Sequence, residues 1–590
     1  MLSYLSKFFM DDFLSVFFLF IIILIAIPVS VYSTGYIKKY RNIYSGRYFW
    51  IMFGLFVLSM IGVVMSSNSI SFMVFWELMS IASFFLAIYD HKNRESIKPG
   101  IYYFVLTHIS GLFLMMMFGF IYKYTGSIDF TEIVHSRGMI QEPWIIFILA
   151  LIGFGAKAGL LVSEGSSFCA IHKFPSMLSA MMSGVMLKVA IYGFIRVTFF
   201  LMGGVSWESG LAVMLLGTVF AIYNIINALL QNDNKKLLAY SSSENIGVIF
   251  SVIGLALVLY DLKLYEAAIM ALTAGLFHSL NHGVFKSLLF TGAGSALFAT
   301  GTSNMNELGG LHAKMKFTAI CVFIGTAAIS CIPPLNGFAS ESLILVSFIK
   351  SSFLLDSKKL FLVVILCGCV IMLASGAAIF AAVKAFGITY LGKARSEKAV
   401  NVREIPRSMN VGMAMLSALS ILFGIFSPFI VGMISIGLSE SILETKYIVQ
   451  PFGYEITRVA ILLFGIIILI LLVSRILDKG KKPQINSTWG CGFDTSKPNM
   501  QYSGDGFSQP VARYFGRMAG YKKESKVKDT ILLKQKTTDK LENNIYMKLI
   551  YFTNFLAVRV VKIHYGKIQL YVAYILVAVI LSLILVINFV

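Results

Sequence analysis

The chain has 590 residues, 57% of them hydrophobic and 13% charged, with a mean hydropathy of +0.80 and a formal net charge of +20. A soluble domain carries about 25% charged residues, so this composition excludes one and describes a polytopic membrane protein. No motif supports nucleic-acid binding, and the basic excess reads as membrane topology and contact with anionic lipid.

Apolar runs of the length a spanning helix needs fall near 13–34, 48–66, 70–89, 101–122, 143–162, 176–201, 210–230, 243–260, 264–290, 317–350, 361–391, 410–436, 455–477 and 569–589, which predicts an all-α fold of about 14 transmembrane helices. The first run follows Lys7, Asp11 and Asp12 and has no small-residue cleavage site behind it, so it is expected to be a retained helix and not a signal peptide. Basic residues concentrate in alternate loops: Lys38, Lys39, Arg41 and Arg47; Lys92, Arg94 and Lys98; Lys235 and Lys236; Lys314 and Lys316; Lys393, Arg395, Lys398, Arg403 and Arg407; and the 479–568 segment. The positive-inside rule makes these loops cytoplasmic and places both termini outside.

Two stretches break the helical pattern inside a span. Gly153-Phe154-Gly155-Ala156-Lys157-Ala158-Gly159 gathers small residues around a lysine, and Pro175 closes the polar stretch after it. Cys331-Ile332-Pro333-Pro334-Leu335-Asn336-Gly337 interrupts a helix because consecutive prolines remove donors and clash with the preceding turn. Paired breaks of this kind predict inverted repeats with an ion site at their interface. The expected organisation is N-terminal helices over 1–69, one repeat over 70–205, a second over 206–391, further helices over 392–477, a cytoplasmic basic segment over 478–568 and a final span over 569–590. Within the basic segment, Leu541, Ile545, Leu549, Phe552, Leu556, Val560 and Ile563 recur at helical spacing, predicting an amphipathic helix along the membrane surface.

The residues that carry chemistry are ionisable ones deep in apolar runs: Glu77, Lys157, Lys188, Glu341 and Lys384, with His278, His282 and Lys286. A central charge costs roughly 2.5–3.5 kcal/mol to insert, so five such residues represent about 10 kcal/mol of gross penalty, which a passive anchor would avoid. A lysine whose carboxylate partner moves nearer or farther can hold or release a proton, and Glu77 is the natural partner of Lys157. His278, His282 and Lys286 recur every four residues along one side of a helix, as a proton relay needs. His278-Ser279-Leu280-Asn281-His282 imitates the spacing of a zinc protease but lacks its glutamate. The six cysteines, Cys169, Cys321, Cys331, Cys367, Cys369 and Cys491, include no C-x-x-C pair, so neither an iron–sulfur cluster nor a nickel site is expected in this chain.

Leu237-Leu238-Ala239-Tyr240-Ser241-Ser242-Ser243-Glu244-Asn245-Ile246-Gly247, the run Phe277–Phe290 and Pro333-Pro334-Leu335-Asn336-Gly337-Phe338 with Glu341 resemble the antiporter-like, proton-translocating subunits of complex I, Mrp antiporters and energy-converting hydrogenases. The resemblance runs from about 50 to 475. Phe386–Gly392, Trp489-Gly490-Cys491-Gly492-Phe493-Asp494, Met500-Gln501-Tyr502 and Phe507-Ser508-Gln509-Pro510 are similar to the hydrogenase-4 component B and formate hydrogenlyase subgroup. The resemblance implies two inverted five-helix repeats, each with one discontinuous helix. It also implies ion-translocation roles for Glu77, Lys157, Lys188, His278, His282, Lys286 and Glu341, with Lys384 the weaker match. Its partners would be hydrogenase or complex I-like membrane and peripheral subunits, which would hold any nickel–iron site and iron–sulfur clusters. One departure stands out: in place of the family's Pro-Leu-His, Trp-Leu-Pro and Ala-His pattern, residues 161–172 retain only His172, followed by Pro175, and add Glu164.

The function expected is proton or sodium translocation within a membrane-bound oxidoreductase complex, coupled to electron transfer in partner subunits. A redox-independent cation/proton antiporter is the alternative, and a scaffold that has lost transport a third.

Overall fold

The computed structural model describes residues 10, 12–40, 43–92, 94–160, 173–443, 445–447, 450–479, 498, 500–517, 520–527, 531–537, 555 and 558–559. The chain divides into two units, Met1–Thr537 and Thr538–Val590. The expected amphipathic helix at 541–563, the final span at 569–589 and the divergent 161–172 stretch lie outside the described residues.

The described part of the first unit is almost entirely helical. Its main helices are α1 (Phe13–Tyr36), α2 (Gly46–Met65), α3 (Ser69–Ala87), α4 (Arg94–Thr125), α5 (Phe130–Ser136), α6 (Pro143–Ala158), α7 (Ser176–Leu201), α8 (Trp207–Leu229), α9 (Asn234–Asp261), α10 (Tyr265–Thr300), α11 (Lys316–Ile329), α12 (Asn336–Phe353), α13 (Lys358–Tyr390), α14 (Arg407–Ile425), α15 (Ser427–Leu443), α16 (Gln450–Leu477) and α17 (Gly504–Phe515). Among the described residues, 10 helices are long and apolar enough to cross a membrane, and Pro143–Ala158, Lys316–Ile329 and Ser427–Leu443 are shorter apolar helices. The expected span at 410–436 is two helices, α14 and α15, parted at Phe426. In the polar segment, strands β1 (Tyr521–Val527) and β2 (Ile531–Thr537) pair antiparallel with Tyr521 opposite Thr537.

Burial sorts the helices. The apolar window of α9 is entirely buried and that of α7 nearly so, whereas α16 is almost wholly exposed. In α10 every residue from Ala267 to Ala296 is buried. These three helices form the centre, and the outer ones turn Leu, Ile, Val and Phe outward, as lipid-facing helices do. Small residues let the centre close. Gly210 and Gly217 of α8 lie against the backbone of α9, and Gly247 and Gly254 of α9 against that of α8; a Cβ at Gly217 would stand 2.5 Å from Ser251 N.

Both expected breaks are present. α6 stops at Gly159, which takes the left-handed conformation (φ 83°) that a Cβ disfavours. α11 stops at Ile329 and the chain resumes as α12 at Asn336. The polar groups freed there find partners, as buried backbone must. Asn281 Nδ2 donates to the Asn336 carbonyl (3.1 Å), and Ser420 Oγ donates to Asn336 Oδ1 (2.7 Å).

Candidate ion-translocation site

Lys157 sits in the last turn of α6, where the negative end of the helix dipole favours a cation. Its Nζ donates to Ser80 Oγ (2.5 Å) and to the Trp76 carbonyl (3.4 Å) and stands 4.3 Å from the centre of the Trp76 ring. Glu77 makes no direct ion pair with it, but the Glu77 carboxylate remains the charge that acts on the lysine. Successive helical residues point about 100° apart, so a lysine seated on the Trp76 and Ser80 side of α3 leaves Glu77 turned away. Glu77 Oε2 instead lies 3.3 Å from His108 Nε2 of α4. A string of hydroxyls leads inward from Lys157. Ser83 Oγ donates to the Ser80 carbonyl (3.0 Å) and lies 2.6 Å from Tyr103 OH, which approaches Met186 Sδ at 3.3 Å, two residues before Lys188.

Lys188 is fully buried in α7, just past a widened π turn at Met182–Met186. Its Nζ donates to the Ser183 carbonyl (2.6 Å) and meets His282 Nδ1 at 2.6 Å. With Lys188 as donor, Nδ1 accepts, so the hydrogen of neutral His282 is on Nε2, which is buried without a protein partner. The His278 ring lies 6.2 Å away, one turn along α10 and nearly parallel.

The tautomer of His278 is set by Asn245 of α9. Asn245 Nδ2 donates to the Ser241 carbonyl (2.9 Å), which can only accept, and to Glu244 Oε2 (2.5 Å), so its Oδ1 is the atom facing His278 Nε2 at 3.1 Å. Nε2 therefore carries a hydrogen, and Nδ1 is the position that gains or loses a proton. Nδ1 is 3.0 Å from Ser340 Oγ, whose hydroxyl is within reach of the Asn336 carbonyl at 3.1 Å as well. One hydroxyl rotation switches Ser340 from donating to His278 to receiving from it.

Glu341, the next residue of α12, is buried with the Cys331 and Ser375 side chains as polar neighbours. Lys286 reaches back to Ser241 Oγ (2.6 Å), beside the row. Lys384 is elsewhere. Its Nζ donates to the carbonyls of Leu229 (2.9 Å) and Gln231 (2.5 Å) and to Ser508 Oγ of α17 (2.6 Å), capping the C-terminal end of α8. It lies nine residues past Ser375 on α13, about 13 Å along the axis.

The structure thus brings Lys188, His282 and His278 together, with Ser340 linking His278 to the turn of α12 that carries Glu341, and Lys157 separated from Lys188 by the Ser80, Ser83 and Tyr103 side chains. It adds His108, Asn245, Glu244 and Ser340, which reading the sequence did not single out as site residues. Glu244 and Asn245 stood in a noted motif, and His108 obeys the rule that found the others, a titratable group within an apolar run. A second missed cluster ties the N-terminus to the centre. Arg196 of α7 grips Asp12 with both terminal nitrogens, one at 2.7 Å, and donates to Ser15 Oγ (2.9 Å). Burial pushes the Asp12 carboxyl up, but the hydrogen bonds and charge of Arg196 outweigh it and hold the group below the usual aspartate range. Among the described residues, no three His, Cys, Asp or Glu side chains converge as metal ligands.

Known proteins resemble this chain in sequence and fold. Residues 66–372 match the family described as NADH:quinone oxidoreductase/Mrp antiporter, TM. Hydrogenase-4 component B of Escherichia coli strain K12 is 30% identical, the match covering 97% of this chain and 88% of that protein. Formate hydrogenlyase subunit 3 of the same strain is 30% identical over 77% of this chain and 72% of its own. In structure, a chain of the membrane-bound sulfane sulfur reductase, an archaeal respiratory membrane complex, superposes with a TM-score of 0.72 at 21% identity, covering 96% of this chain and 88% of that one. The chain is therefore an integral multi-pass membrane protein and belongs to the NADH:quinone oxidoreductase/Mrp antiporter transmembrane family.

Proposed function

We propose that this chain is the non-redox, ion-translocating subunit of a membrane-bound oxidoreductase complex of the hydrogenase type, moving protons or sodium ions in response to electron transfer in its partners. The observation that carries the proposal is the set of buried titratable groups drawn from four helices, Lys157, Lys188, His282, His278 and Glu341, in which Lys188 meets His282, His278 stands one turn along from it and Ser340, next to Glu341, reaches His278. Each group's charge sets the proton affinity of the next, so a shift at one end passes along the row. On this reading the two broken helices belong to two inverted repeats, 70–205 and 206–391, and the nickel–iron and iron–sulfur centres sit in partner subunits. The complex lies in a prokaryotic inner membrane with both termini of this chain outside. The match along nearly the whole length of hydrogenase-4 component B supports this reading over a redox-independent antiporter.

Purifying the tagged chain should bring down nickel-site and iron–sulfur subunits. In vesicles carrying the assembled complex, Lys157→Ala and His282→Ala should each cut ion uptake about tenfold or more, the loss of one relay step. Unchanged uptake in both variants refutes the relay.

A further inference from the structure

Two motifs noted in the sequence, Met500-Gln501-Tyr502 and Phe507-Ser508-Gln509-Pro510, take no part in the buried Lys–His–Glu set, yet they close over Lys384. An ammonium has three hydrogens to donate. Lys384 Nζ gives two to the carbonyls of Leu229 and Gln231 at the end of α8, and the third to Ser508 Oγ (2.6 Å). Ser508 is free to accept because its own hydrogen turns to a carbonyl, that of Leu229 (2.8 Å) or of Gly504 (3.0 Å). One turn before Lys384 on α13, Phe380 meets Phe507 with ring centres 5.3 Å apart. With α17 in place, Lys384 is fully buried.

What holds α17 in this seat is mostly polar. Asp505 accepts from Asn232 (2.5 Å) and Asn306 (2.8 Å), and Asn306 Oδ1 accepts from the Gly504 N–H (2.8 Å). Upstream, Gln501 pairs with both backbone groups of Lys393, and Arg395 donates to the Tyr502 carbonyl (2.9 Å). Water can replace each of these bonds, so each adds little net stability. The apolar share is small: within α17 only Gly504 and Ser508 are buried, Phe507 and Val511 reach the core, and Tyr514 and Phe515 stand exposed. Pro510 removes one backbone bond from a helix of only 12 residues, a length that is marginal in water on its own. Elements with few buried apolar contacts are the first to open. Beneath it, α8 and α13 are spans of 23 and 33 residues.

We infer that residues 500–515 form a latch that shuts this end of the molecule over Lys384 and lifts during turnover to expose the lysine to water, an inference that rests on the ion-path reading proposed above. Closed, Ser508 pins the ammonium against the end of α8. Lifted, the third hydrogen turns to water and the side chain can leave the α8 carbonyls.

Hydrogen–deuterium exchange on the assembled native complex reads the opening: amides of α17 should exchange about a hundredfold or more faster than those of the buried α9. Asn306→Cys with Asp505→Cys, at side chains that touch in the native protein, frees the segment until a short, reducible bis-thiosulfonate linker ties it down. Applied to the purified complex before reconstitution into vesicles, the linker should cut ion uptake about tenfold or more, and reduction should restore it. Native complex treated alike corrects for reaction at the native cysteines. Amides of α17 as slow as those of α9 overturn the latch. Uptake unchanged by linkage, or already lost before it at matched complex content, overturns it too and makes the segment a fixed brace. Absence of uptake in the native complex overturns the ion-path reading instead, and the exchange measurement still decides whether the segment lifts.

Discussion

Asn245 is a neutral residue whose side chain decides what a charged one can do. Its amide faces Glu244 and the Ser241 carbonyl with its nitrogen and His278 with its oxygen, and this polarity makes Nδ1 the working atom of the ring. Asn245→Ala removes both contacts at once. His278 becomes free to take the other tautomer, and the buried Glu244 carboxylate loses its hydrogen-bond donor. Uptake should fall about tenfold or more, matching the loss of ~1.4 kcal/mol from a single relay step. Asn245→Asp should not rescue it, because a carboxyl has no N–H for the Ser241 carbonyl and sets a second acid beside Glu244. Vesicle uptake measured on both variants at matched complex content checks this, and an Asp variant with native uptake would show that the tautomer does not matter.

At the level of elements, the central helices are held by two devices with different responses to pH. The α8–α9 crossing depends on glycine backbones in contact and has no titratable part. The α1–α7 clamp depends on Asp12, the N-cap of α1, and Arg196. Because the folded carboxyl is held below its unfolded value of about 3.9, the clamp stabilises fully above that pH and loses its contribution as pH falls through the lower folded value. Removing one partner of a fully buried pair costs about 3–5 kcal/mol; Asp12 keeps some solvent access, so Asp12→Asn should cost on the order of 1–3 kcal/mol. The variant should melt lower than the native protein at neutral pH, with the difference closing below about pH 4. Melting curves in detergent across that range test it, and a difference that persists in acid would mean the side chain acts through packing.

At the scale of the whole molecule, the loops gather at two ends. Arg137, Gly203, Tyr260 and Lys263 line one cavity, while Tyr265, Glu266 and Lys446 line a neighbouring one, placing loops after α5, α7, α9 and α15 at the same end. Asp233 bridges to Asn304 at the other, where Asn232 and Asn306 hold Asp505 of α17. The loop of Lys235 and Lys236 thus lies at the end opposite the loops of Arg137, Lys263 and Lys446. Deep charges and both helix breaks were legible in the sequence because lipid makes each of them costly, so their presence is a signal in itself. Which side chains meet was not legible: the rotation of α3 that gives Lys157 to Ser80 and Glu77 to His108, and the capping role of Lys384, are products of packing between distant segments. The break at Phe426 is announced by Pro428, which fits only the first turn of a new helix, although the apolar run continues across it; the 521–537 hairpin lies in a polar stretch without alternation. The positive-inside rule assigns the Asn304 end to the cytoplasm. In a background carrying Cys369→Ser, which removes an exposed native thiol, Asp356→Cys should react with a membrane-impermeant maleimide in intact cells. Lys314→Cys should react only after permeabilisation. The reverse pattern would invert the chain.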